Sequence, residues 1–145
     1  MIILLNFLFL LFSCSPKSES ILSTPVQKDP GSLKILNESG FMGATMAGTS
    51  IDHEVIIRAN GGLALTNIAV SITTNDPISF KDSTYPGTGG TCADTLESGE
   101  SCSIVISYQP INTNSHLATL RFTYQDAIKS YQKSYQVSAD SHPIL

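Results

Sequence analysis

The chain has 145 residues, room for one domain at the usual size of roughly 100–200 residues. Eight Lys and Arg against twelve Asp and Glu leave a formal charge of −4, so the basic footprint that nucleic-acid phosphates demand is absent. Charged residues make up 14% and apolar ones 41%, a balance that argues against wholesale disorder.

Ile2 to Phe12 is apolar apart from Asn6, and Ser13 and Cys14 follow. Eleven helical residues span about 16 Å against a hydrocarbon core of about 30 Å, too short for a permanent membrane span. The length suits the apolar core of a secretory signal peptide. Leu11-Phe12-Ser13-Cys14 resembles a bacterial lipobox. That resemblance implies a signal peptide over residues 1–13, cleavage before Cys14, and lipid on the Cys14 thiol as the membrane anchor. Three Cys leave one over in an exported chain. With Cys14 acylated, Cys92 and Cys102 remain as a pair, and an oxidising compartment makes a disulfide their expected state.

Residues 14–32 are rich in Ser and Pro and hold only three aliphatic side chains, Ile21, Leu22 and Val26. Such a segment sustains no packed core and reads as a flexible tether. As a coil its 19 residues span on the order of 24 Å, enough to lift a domain clear of lipid headgroups.

From Leu33 to the end, residues 33–145, the apolar pattern has period two. Residues 33–36 form a first strand, and Val55, Ile57 and Ala59 alternate in the next. Ile68, Val70 and Ile72 follow, then Cys102, Ile104, Ile106 and Tyr108, then Ala118, Leu120, Phe122 and Tyr124. Residues 131–139 supply the last, though Lys133 between Tyr131 and Tyr135 leaves its orientation open. Alternation of this kind marks antiparallel strands with one face buried and one wet. Asn60-Gly61-Gly62, Asn75-Asp76-Pro77, Pro86-Gly87, Glu97-Ser98-Gly99 and residues 110–115 carry turn chemistry between them. No segment sustains a 3.6-residue stripe. About seven short strands predict an all-β, immunoglobulin-like antiparallel sandwich, with a barrel as the second choice.

Particular residues carry a resemblance. Arg58-Ala-Asn-Gly-Gly62 with Leu65-Thr-Asn-Ile68, Tyr85-Pro-Gly-Thr-Gly-Gly-Thr-Cys92, Ser101-Cys102-Ser-Ile104 and Tyr108-Gln-Pro110 are similar to the bacterial choice-of-anchor D domain. That domain lies within the ASH/major-sperm-protein-like group of immunoglobulin-like folds. The resemblance covers roughly residues 33–140 and implies an interaction or spacer module on an exported or surface protein, without catalysis. Three places depart from the pattern, one of them Ala139-Asp140 where the family closes on a Gly-rich strand end. Asn114 stands where a Gly is usual, a position Asn tolerates through its access to αL, and Gln125-Asp126-Ala127-Ile128 lacks the usual Gly of the last hairpin.

Chemistry-bearing motifs are sparse. Pro86-Gly-Thr-Gly-Gly90 lacks the Lys and helix start of a phosphate loop and reads as a turn needing positive φ. Asp52, His53 and Glu54 are adjacent on a strand and face opposite ways, so no metal site is expected from them. No nucleophile elbow accompanies the Ser, His and Asp residues. Tyr108 and Tyr124 are expected in the core with wet hydroxyl tips. The expected function is a lipid-anchored envelope or surface protein presenting a non-catalytic binding or scaffolding module, needing no cofactor. A small exported hydrolase, or an accessory subunit of an envelope complex, is the alternative. The membrane is a partner through Cys14; the other is an envelope or surface protein or polymer. Specificity is expected where loops depart from the pattern, and Leu63 and Ile128, on loops that emerge at one end of such a sandwich, are the candidate partner-binding pair.

Overall fold

The computed structural model describes residues 27–37 and 39–143. The signal peptide, Cys14 and most of the tether lie outside the described residues. Eight strands follow one another: β1 (Ser32–Ile35), β2 (Phe41–Met46), β3 (Ile51–Asn60), β4 (Thr66–Thr73), β5 (Ile78–Phe80), β6 (Ser101–Tyr108), β7 (Ser115–Gln125) and β8 (Ser130–His142). They form two four-stranded sheets, β1-β3-β6-β5 and β2-β8-β7-β4, packed as a sandwich. The only helical element among the described residues is a 3-10 turn over Lys81–Ser83.

The period-two pattern sets which side chains face inward. Val55, Ile57 and Ala59 of β3 meet Ile104, Ile106 and Tyr108 of β6 and, from the other sheet, Leu120, Phe122 and Val137. Burying each large apolar side chain stabilises the fold by about 1.5–3 kcal/mol before chain entropy is counted. In β8 the inward set is Val137, Ala139 and Ser141, and by parity Tyr131, Lys133 and Tyr135 share that face. Lys133 is accommodated there because its ammonium reaches out to donate to the Leu33 carbonyl, 2.9 Å. Tyr135 likewise donates to the Asn37 carbonyl at 2.7 Å.

Two strands escape the alternation. In β2 the apolar Phe41 and Met46 point outward while Gly43 accompanies a register shift, so no period-two signal forms. β5 has three residues, too few to show a period. β2 also pairs in parallel with β8, the one parallel pair among the described strands. Asn114 does not adopt positive φ; among non-glycine residues Asn67, Asp82 and Ser83 do. The hydroxyl of Tyr108 is not wet either, because that residue is fully buried, and Tyr124 turns its own toward the amide of Leu33, 3.3 Å.

The sandwich has two ends. At the near end, Asp29 accepts from the Gly62 amide, Ser98 donates to the Gly61 carbonyl, and Gly31 lies beside Leu63 and Asp126. This is where the chain enters the fold. At the far end Gly48 donates to Pro110, Ser141 to Asn114, and Leu117 to Asp76.

Candidate functional site

The near end is organised by Asp126. Its Oδ1 accepts the amides of Ile128 (2.7 Å) and Lys129 (2.9 Å), and its Oδ2 accepts the Gly31 amide (2.9 Å) and the Tyr131 hydroxyl (2.8 Å). Burial alone would push this carboxyl up, but the four donors outweigh it and bring the pKa from 3.8 down to about 2. An Asp thus does the work of the missing hairpin Gly, bonding amides two and three residues on. Tyr131 stacks on Tyr124 with ring centroids 5.2 Å apart, and the Lys129 ammonium sits 5.0 Å from the Tyr131 centroid. The hairpin tip is therefore held firmly, and Ile128 projects from it 59% exposed.

Gly31 separates the 126–129 turn from the loop bearing Leu63. A Cβ at Gly31 would lie 2.8 Å from Leu65 Cδ2, 3.1 Å from the Leu63 carbonyl and 3.2 Å from Asp126 Cβ, so any larger residue would have to push these neighbours aside. Both candidate loops flank the same residue. Leu63 itself is half-buried, whereas Ile128 is exposed. Beside them, a shallow hollow of about 370 Å³ is lined by Asn67, Gln125, Ser130 and Gln132 among others.

Cys92 and Cys102 form a disulfide. The loop it closes crosses the gap between the sheets: Leu96 is buried and pairs with Leu65, and the Asp94 carbonyl accepts the Ile68 amide at 2.9 Å. The Pro86–Gly90 segment is a turn with positive φ at Gly87 and Gly89. A side chain at Gly87 would collide with the Val105 carbonyl, which makes that glycine a packing requirement.

Asp52, His53 and Glu54 alternate along β3 and do not converge. Asp52 pairs outward with Lys81 at 2.7 Å, which holds its carboxyl below the usual range. His53 is turned inward and half-buried, and burial lowers its pKa. Around Asp52 and Lys81, an open polar hollow of about 710 Å³ includes Ser79, Ser107 and Gln109.

Sequence reasoning missed a cluster at the far end. His116 is 4% exposed and its Nδ1 lies 3.1 Å from Asp76 Oδ1, while Asp76 Oδ2 accepts the Leu117 amide at 2.8 Å. Hydrogen bonds from Leu117 and His116 hold the Asp76 carboxyl below its usual range. Tyr108 faces the imidazole with centroids 5.4 Å apart, and Ser141 is buried nearby on β8. Strand parity was the available signal: His116 continues the inward series of Ala118 and Leu120, and Ser141 that of Val137 and Ala139. A Ser, a His and an Asp are thus gathered, but Ser141 Oγ and His116 Nε2 make no hydrogen bond to each other or to any other atom among the described residues. Activating a serine requires that contact, and here both groups are sealed in the core.

No protein family and no curated protein matches the chain. Among solved structures it is similar to the ASH/PapD-like domain 7 of human CEP192, with a TM-score of 0.57 and 17% identity over 88% of this chain and 98% of that one. It is also similar to the VesB protease of Vibrio cholerae, with a TM-score of 0.52 and 16% identity over 77% of this chain and 32% of the protease. At these identities the likeness is one of fold, and that fold is an immunoglobulin-like β-sandwich.

Proposed function

We propose that this protein is a lipid-anchored module of the cell envelope or surface, of the choice-of-anchor D kind, that binds or scaffolds a partner without catalysis. The observation that carries the reading is Ile128, a large apolar side chain 59% exposed at the tip of a turn that Asp126 holds rigid. A rigid apolar tip loses little entropy on binding and supplies the kind of anchor on which interfaces concentrate their energy. Leu63 is half-buried on the loop whose backbone flanks Gly31 from the other side, and it is the second residue of the proposed binding pair. Lipid on Cys14 would set this end toward the membrane, because the chain enters the fold here. Because Asp29, Gly31 and Ser32 are held in the fold, the tether shortens to residues 14–28, and the partner is an envelope protein or polymer within its reach, on the order of 20 Å.

The test compares Ile128→Glu with the parent as bait on extracts of the native envelope. Expected is a loss of partner capture of about tenfold or more, with stability changed by less than about 0.5 kcal/mol, as befits an exposed position. Undiminished capture by the variant would move the binding surface elsewhere.

A further inference from the structure

At the far end of the core, three polar atoms have no hydrogen-bond partner among the described residues: Tyr108 Oη, His116 Nε2 and Ser141 Oγ. They come from both sheets, Tyr108 from β6 and the other two from β7 and β8. Their residues are 0%, 4% and 8% exposed, so bulk solvent does not serve them. His116 pairs with Ala139 across the β7–β8 ladder, which places Ser141 diagonally beside it on the same inward face. Tyr108 closes the group from the opposite sheet, its ring tilted over the imidazole at 5.4 Å.

Native proteins leave only a few such atoms unpaired, each calling for an explanation, and three in one place point to a shared partner. We propose that these three side chains bind one internal water molecule that bridges the two sheets. The donors and acceptors match. Asp76 is an acceptor at both oxygens, so His116 Nδ1 carries the proton that faces it, and in the tautomer with that proton alone Nε2 is an acceptor. A water donating to Nε2 has a second donor for Ser141 Oγ and accepts from the Tyr108 hydroxyl. That gives it three partners, within the two to four that ordered internal waters make. Burial pushes the Tyr108 pKa up and the neighbouring Ser141 hydroxyl pulls it partly back, which places the two hydroxyls close to each other. The site ties β6 to β7 and β8 at the end that the Cys92–Cys102 disulfide does not reach.

Oxygen-17 magnetic relaxation dispersion of the purified protein counts its long-lived internal waters. Expected is a fall of one water on going from the parent to Tyr108→Phe/Ser141→Ala, which keeps the packing but leaves a single partner. If the double variant does not fold, Ser141→Ala alone is expected to lower the dispersion amplitude. An unchanged count in a folded variant would overturn the proposal. So would a high-resolution crystal structure showing Tyr108 bonded directly to Ser141 with no density between them and His116.

Discussion

Asp126 shows how one side chain sets the geometry of a whole loop. Four donors from three parts of the chain meet on its carboxylate, and one of them, Gly31, lies 95 positions away. Because its folded pKa is lowered to about 2 from 3.8, its contribution to stability is complete above pH 4 and is lost as pH falls through about 2. Asp126→Asn keeps an acceptor for the turn amides but sets an NH2 group against the Gly31 amide. The variant is expected to be less stable than the parent at pH 7 and to lose less on acidification from pH 4 to 2. Urea unfolding midpoints at the two ends of that range check this; parallel pH profiles would show that Asp126 does not carry the linkage.

At the scale of elements, the loop over residues 92–102 does the most with the least. The disulfide closes a ring with a sequence separation of 10, and the ring carries Leu96 into the core and Asp94 against the edge of β4. Chain entropy for a loop of that length amounts to about 2.7 kcal/mol, a sizeable part of a small domain's stability. Cys92→Ala/Cys102→Ala is expected to unfold more easily by about that amount. Its Ile68 amide should also exchange with solvent sooner than that of Phe122 in the central β7 strand. Uniform acceleration at both amides would mean that the bridge acts on the fold as a whole and not on this edge.

The elements that could be read from the sequence are those with one buried and one wet face: β4, β6 and β7 announce themselves through Ile68, Ile104 and Leu120 and their alternating neighbours. β2 could not be, because a bulge and two outward apolar residues erase its period. The candidate loops were legible as turns, since Gly61-Gly62 and Asp126 carry turn chemistry. The contact of Asp76 with His116 spans 40 positions and joins a loop to a strand, a proximity that only the folded topology creates.

For the molecule as a whole, the decisive question is attachment. Among the described residues no helix is long and apolar enough to cross a membrane. Under the lipid-anchor reading, retention depends on Cys14 alone. Several acyl chains hold a protein firmly where one holds it marginally. The parent is therefore expected almost entirely in the membrane fraction and Cys14→Ala almost entirely in the soluble one, by quantitative immunoblot after fractionation. Equal partition of the two would remove the anchor from the account.

The parallel pairing of β2 with β8 bears on how the chain becomes a protein at all. Synthesis delivers β1 and β2 first. Among the described strands β2 has its one sheet partner in β8, and three further ties reach late residues: Gly31 to Asp126, Leu33 to Lys133 and Asn37 to Tyr135. Loop-closure entropy must be met before such distant contacts give anything back, which slows folding. β1 can pair with β3 as soon as that strand exists, whereas β2 stays without a sheet neighbour until β8 is in place, so the second sheet closes late.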